Sequence, residues 1–252
     1  MYIYTGEGWK EGSAKFAPFE PIVYESLRTY GNNVFAFEEH MNRLKRSASF
    51  LRITRIPRRY IEKALEDFKR FEGKDYRFRI YLKADGTVFL EASEIGHHPG
   101  SVEIRLSRWR KPHPSSVPPD FKVLYNPSSL LARLEKGKAY EALMMNSSGF
   151  VAEGTFSNVF LVKKGILITP SLETGILSGI TRKHVIDLAR DLGIKVEERF
   201  VETWELFEAE EIFLTHTSYE IVPVSRLNEN VYAAPGEITK TLRENFRRFI
   251  LG

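Results

Sequence analysis

The sequence predicts a mixed α+β chain divided into two domains, and three observations carry that prediction. Apolar residues alternate with period two in some segments and recur at three- and four-residue spacing in others, so strands and helices are both present. Their order is not a regular strand–helix alternation, and no Gly-rich dinucleotide or Walker sequence occurs, which disfavours a doubly wound nucleotide-binding sheet. Residues 111–119 hold four prolines in nine positions. Such a stretch is neither helix nor central strand, and it reads as an interdomain linker. The expected division is a domain over residues 1–111, a linker over 112–119 and a second domain over 120–252.

Each element follows from its own pattern. Residues 1–7 read as a first strand and residues 22–30 as a second. Phe37, Met41, Leu44, Ala48 and Leu51 fall on one face at helical spacing. Pro57 opens a second helix with Ile61, Leu65 and Phe68 as its apolar stripe. Residues 76–82 and 87–92 flank Asp85-Gly86, a hairpin signal. Residues 102–106 form another strand, assigned to the first domain. After the prolines, a helix is expected over 128–138 and strands over 142–145, 158–162 and 166–168. A helix over 180–192, strands over 211–215 and 221–224, and a closing helix over 238–250 complete the chain.

Composition narrows the function classes. The 252 residues are 42% hydrophobic and 28% charged, enough for sizeable cores and unlike a disordered chain. There is no cysteine, which removes disulfides, thiolate metal sites and cysteine nucleophiles together. The six histidines show no metal-ligand spacing, so no metal is expected. The net charge of +4 arises from 37 basic and 33 acidic residues that largely alternate. The densest basic stretch, residues 52–59, reads as a solvated surface rather than a nucleic-acid track. The N-terminus lacks a basic flank and a long apolar run, and no segment is long and apolar enough to span a bilayer. The expectation is a cytoplasmic protein with no membrane or nucleic-acid partner.

Five segments carry the chemistry, and their order matters more than any one of them. They are Tyr24-Glu25-x-x-Arg28; His40-x-x-Arg43-Leu44; Phe121-Lys122-Val123-Leu124-Tyr125 with Leu131-Ala132-Arg133; Glu153-Gly154-x-x-Ser157-Asn158-x-Phe160 with Gly179-Ile180-Thr181-Arg182; and Thr215-His216-Thr217-Ser218 with Glu220 to Pro223. Taken singly, Lys122 is one surface lysine among many, and Ser178 and Thr181 are ordinary residues at a helix start. Together, in this order and across nearly the whole chain, the segments resemble the class IV aminotransferases. That family comprises branched-chain and D-amino-acid aminotransferases and aminodeoxychorismate lyases.

The resemblance implies the two-domain fold-type IV arrangement, with pyridoxal 5′-phosphate in the interdomain cleft and a homodimer as the working form. It implies Lys122 as the lysine that forms the Schiff base and shuttles the substrate Cα proton. Glu153 is implied as the carboxylate beside the pyridine nitrogen, where it raises that nitrogen's pKa. Ser157 and Asn158 belong to the same cofactor-binding motif. Arg43, the Ile180 and Thr181 amides, the Thr181 hydroxyl and Thr217 are implied phosphate donors, the amides being those left open at a helix N-terminus. Tyr24, Arg28, Thr217 and Ser218 match positions around the substrate, and Arg79 or Tyr76 could reach the same pocket. His216 either meets cofactor or substrate or fills space. The implied reaction is ping-pong transfer of an amino group from a branched-chain or other aliphatic amino acid to 2-oxoglutarate or another 2-oxo acid. The lyase and D-amino-acid activities stay open as alternatives, because the run after Lys122 (Val123-Leu124-Tyr125-Asn126-Pro127) lacks the Gly-Gly-Asn-Tyr sequence frequent in branched-chain enzymes.

Overall fold

A computed structural model describes residues 1–17, 20–31, 33–68 and 74–251. The chain forms two compact units. Met1–His97 with Asp120–Tyr125 makes the first, and His98–Pro119 with Asn126–Gly252 makes the second.

The first unit contains β1 (Tyr2–Tyr4), β2 (Trp9–Glu11), β3 (Ile22–Tyr30), β4 (Asn33–Val34), α1 (Phe37–Phe50), α2 (Arg58–Phe68), β5 (Tyr76–Lys83) and β6 (Val88–Glu94). The strands form a sheet in the order β2-β1-β6-β5-β3-β4. Asp85-Gly86 turns β5 into β6 as expected: Gly86 sits at φ 86°, and the Asp85 carboxylate accepts the Thr87 N–H at 2.8 Å. Strand alternation divides the sheet. Val23, Leu27, Phe78, Ile80 and Leu82 join the core, together with Met41, Leu44 and Ala48 of α1 and Ile61, Ala64 and Phe68 of α2. Tyr24, Arg28, Arg77, Arg79 and Tyr81 alternate with them and take the opposite face.

One buried charge cluster interrupts that core. The fully buried Glu25 accepts from Arg43 Nε at 2.8 Å and Nη2 at 2.6 Å, and His40 Nδ1 lies 3.1 Å away. Burial alone would raise the Glu25 carboxyl. The bidentate Arg43 guanidinium, assisted by His40, outweighs burial and holds it well below the ordinary carboxylate range.

The second unit contains β7 (Val102–Arg110), α3 (Pro127–Glu135), β8 (Glu141–Met145), β9 (Val151–Gly154), β10 (Asn158–Lys163), β11 (Ile166–Pro170), α4 (Ile180–Asp191), β12 (Val196–Arg199), α5 (Thr203–Phe207), β13 (Glu211–His216), β14 (Glu220–Leu227), β15 (Asn230–Val231) and α6 (Glu237–Leu251). Its sheet runs β12-β11-β10-β13-β14-β7-β8-β9, with β15 on β14. Most pairs are antiparallel; β14–β7, β7–β8 and β11–β12 are parallel. Val159, Leu161, Ile212, Leu214, Val222 and Val224 line its core. Among the described residues, no helix is long and apolar enough to cross a membrane.

The domain division differs from the expectation in three places, the first being that residues 112–119, read as a linker between domains, lie inside the second unit. Strand β7, assigned by sequence to the first domain, lies inside the second sheet between β14 and β8. A strand in isolation does not disclose its partners, and parallel partners lie far away in sequence. Residues 120–125, assigned to the second domain, belong to the first. The Ile22–Tyr24 end of β3 leaves edge groups that β4 does not reach, and this segment takes them up. Tyr24 N–H donates to Lys122 O at 3.0 Å, Leu124 N–H donates to Ile22 O at 2.9 Å, and Val23 bridges Val123. Lys122 therefore stands on a sheet edge rather than in a strand of the second unit. Residues 121–125 form no strand beyond that single bridge.

Glu25→Gln removes the countercharge from buried Arg43 and should destabilise the protein by roughly 3–5 kcal/mol near neutral pH. Because the folded-state carboxyl is depressed, its contribution is complete above the ordinary glutamate range and fades as pH falls through the folded value. Urea unfolding at pH 7 and again below about pH 4 checks this. The gap between wild type and variant should narrow in acid, and an undiminished gap would contradict the assignment.

Candidate active site

The candidate residues fall into two sets, each described within its own unit. In the first unit, Lys122 is anchored at its backbone. Its carbonyl accepts from Tyr24, its N–H donates to Ser47 Oγ at 3.1 Å, and Ser47 Oγ donates to Asp120 O at 2.6 Å. Lys122 Nζ lies 4.5 Å from the centroid of the Tyr24 ring. The structure thus brings Lys122 and Tyr24 together. Arg43 is 3% exposed, and its Nε and Nη2 are engaged by Glu25, so its guanidinium is held rigidly beneath β3.

The other first-unit candidates lie further along the sheet. Arg79 stands opposite Ser26 in register and donates to Tyr81 Oη at 3.5 Å. Tyr81 donates to Glu91 at 2.7 Å, and burial, with the Glu91 bond, pushes its phenol up to about 12. Arg28 is engaged by Asp75 at 2.9 Å and lies 4.4 Å from the Tyr30 ring centroid. Tyr76 does not join this group. It is buried on the helix-facing side against Phe68, because residues 76 and 79 point to opposite faces of one strand.

In the second unit the Glu153 motif forms a compact knot. Glu153 Oε1 accepts from Lys111 Nζ, and Oε2 accepts from Asn158 Nδ2 at 2.9 Å and from the Leu177 N–H at 3.0 Å. Asn158 Nδ2 also donates to Leu177 O at 3.1 Å. Gly179 permits this closure: a Cβ there would lie 1.9 Å from Asn158 Oδ1. Helix α4 starts immediately afterwards. Its N-cap, Gly179, offers no side chain, so no capping bond occupies the first-turn amides of Ile180 and Thr181.

Ser157 stands elsewhere in the knot. Its hydroxyl donates to Glu141 at 2.9 Å, joined there by Thr155 Oγ1 at 2.7 Å and the Phe156 N–H at 3.1 Å. Arg133 reaches Thr155 from α3. Burial pushes the Glu141 carboxyl up against the pull of these neutral donors. Ser157 thereby supports the turn that carries Glu153 and Asn158. Thr217 and Ser218 form the β13–β14 turn, and Asn158 pairs with Thr215 across the ladder, so that turn begins just beyond Asn158. His216 hydrogen-bonds Tyr140 Oη at 2.8 Å and packs edge-on against Phe156 and Tyr219.

Comparisons with known proteins identify the family. The family model for amino-transferase class IV matches residues 22–227. The chain is 44% identical, over 96% of its length and 92% of the relative's, to a Thermotoga maritima protein named "probable branched-chain-amino-acid aminotransferase".

This chain belongs to the class IV aminotransferase family.

Solved structures agree in fold. A branched-chain amino acid aminotransferase of Thermoproteus uzoniensis, solved with norvaline, superposes with TM-score 0.83 at 30% identity, covering 100% of this chain and 95% of that one. A Brucella abortus aminotransferase bound to PLP gives TM-score 0.87 at 25% identity, covering 100% and 99%. The structure adds buried or half-buried charged groups that the sequence reading missed. Lys111 is cryptic because it opens what looks like a linker. Glu25 and Glu141 left a faint signal, a lone acid inside or at the head of an apolar strand.

Gly154→Ala places a Cβ within 2.6 Å of Ser157 Oγ and the Glu141 carboxylate. It should cost about 1–3 kcal/mol through overpacking, read as a lowered thermal midpoint. A midpoint equal to that of wild type would show that the knot is looser than described.

Proposed function

We propose that this aminotransferase uses pyridoxal 5′-phosphate to move the amino group of a branched-chain or other aliphatic amino acid to 2-oxoglutarate or another 2-oxo acid, in two alternating half-reactions. The cofactor reading is carried by the Glu153 knot. A protonated ring nitrogen calls for an anionic acceptor, and a phosphate calls for open amides and hydroxyls. Glu153 supplies the first. The start of α4, tied to Glu153 through Asn158, supplies the second, with Thr181, Thr217 and Arg43 as further donors. The branched-chain substrate is supported by the names of the most similar relatives. The homodimer is taken from the family resemblance, and the cytoplasmic location from the sequence expectation.

When bound, pyridoxal phosphate supplies the electron sink that makes the substrate Cα proton removable. The rest falls to side chains of this chain. Lys122 Nζ would hold the cofactor covalently and would serve as the base that takes the substrate Cα proton. Its fixed backbone and the Tyr24 ring limit where that amine swings. The Thr217 and Ser218 amides bind the substrate carboxylate. Tyr24 and Arg28 border the side chain. Arg79, on the polar face of the first sheet, suits the second carboxylate of 2-oxoglutarate. A D-alanine aminotransferase of Bacillus licheniformis, 28% identical over 91% of this chain, keeps D-amino acids as a second reading.

The wild type loaded with pyridoxal phosphate should show a visible band that borohydride removes, leaving an adduct that peptide mapping finds on Lys122. Lys122→Ala should form no adduct there and should lose roughly 10²–10⁴-fold or more in transamination rate, the range of a lost acid–base group. An adduct confined to another lysine, or full activity in the variant, would sink the proposal. Assays with L-leucine, L-valine and D-alanine against 2-oxoglutarate separate the two substrate readings.

A further inference from the structure

We infer that Lys111 is a positioning residue for the Glu153 carboxylate, presented by the proline-rich segment; the inference rests on the pyridoxal-phosphate reading above. Both Glu153 oxygens are committed: Oε1 to Lys111 Nζ, Oε2 to Asn158 Nδ2 and the Leu177 N–H. An ionised carboxylate offers about four lone-pair directions. With three taken, one is left to accept a ring N–H, and the plane and tilt of the carboxylate are already set. Lys111 is the member of the set that contributes a full charge. Its side chain is 13% exposed and that of Glu153 is 10%, so little solvent screens the pair. The Arg182 guanidinium also interacts electrostatically with Glu153 and is itself paired with Glu198 at 3.0 Å.

The backbone presents the ammonium. Lys111 follows the last residue of β7, and its N–H donates to Met145 O at 2.9 Å at the end of β8. Pro112 confines Lys111 to extended conformations. Pro114 packs on the turn that leads to Leu177, its Cγ lying 3.0 Å from where a Gly175 Cβ would stand. The prolines therefore stiffen a strap that brings Lys111 and the Leu177 amide to opposite oxygens of one carboxylate. Lys111 does two things there. It fixes the acceptor direction, which strengthens cofactor binding. It also places positive charge near the ring, which lowers the pH at which the bound chromophore titrates.

The test uses the full-length protein stripped of cofactor and titrated with pyridoxal phosphate, comparing wild type, Lys111→Met and Lys111→Arg. The methionine variant should bind about tenfold more weakly, the scale of a lost charge-assisted hydrogen bond, and its visible band should titrate at higher pH. Arginine should restore both properties. Should the methionine variant not fold, Lys111→Gln removes the charge in its place. Unchanged affinity and band titration overturn the inference, as does a lowered melting temperature with an unchanged band titration. A borohydride adduct on Lys111 overturns it too, since Lys111 would then touch the cofactor. Wild type that binds no pyridoxal phosphate defeats the functional reading itself, which is a separate result.

Discussion

The side-chain amide of Asn158 is the contact on which the candidate site depends. Asn158 opens β10 and is fixed in register opposite Thr215 of β13, so its position is set by the second sheet. From there Nδ2 ties the Glu153 carboxylate to the Leu177 carbonyl, and Oδ1 occupies the space a side chain at residue 179 would need. One amide thus sets the acid and the start of α4 at fixed offsets from a rigid ladder. An aspartate in its place would present acceptors to two acceptors, losing the bonds and adding repulsion. A leucine of similar size would remove a hydrogen-bond donor from both partners, leaving Glu153 Oε2 with the Leu177 N–H alone.

Three buried carboxylates of this protein show how one group is tuned by what surrounds it. Glu25 meets a bidentate guanidinium and is pulled well down despite full burial. Glu141 meets hydroxyls and amides only, and burial wins, pushing it up. Both are removed from water, so the difference lies in whether a full positive charge sits within hydrogen-bonding reach. Each serves as internal framing: Glu25 locks α1 to β3 through Arg43, and Glu141 gathers Thr155, Phe156 and Ser157 into the turn after β9. Glu153 combines the two patterns, with an ammonium on one oxygen and neutral donors on the other.

Most elements were legible because their signals are local. The stripe Met41, Leu44, Ala48, the Asp85-Gly86 turn and the apolar strands 158–162 and 211–215 all appear near their expected bounds. Strands β2, β9 and β12 were invisible because they are short and lack clean alternation. The order of the motifs disclosed the family, but it did not disclose partners. Ser157 reads like a ligand-binding hydroxyl and is spent on Glu141. Arg28 reads like a free cation and is engaged by Asp75, 47 residues away. Long-range pairing decides both, and a one-dimensional pattern carries no record of it.

The same limit explains the proline-rich segment. Prolines do forbid helix and central strand there, and that much of the linker reading holds. What composition does not convey is that a segment without regular structure can be pinned at both ends. Before it, β7 is an inner strand of the second sheet, and Lys111 hydrogen-bonds Met145. After it, residues 122–124 are captured by the open edge of β3. The hydrogen bonds of that edge fix the backbone of Lys122. Rigid proline between two anchored ends spares the chain the entropy that a flexible connection would lose on ordering. The segment read as a linker is therefore anchored in the second unit at Lys111 and in the first unit at residues 122–124.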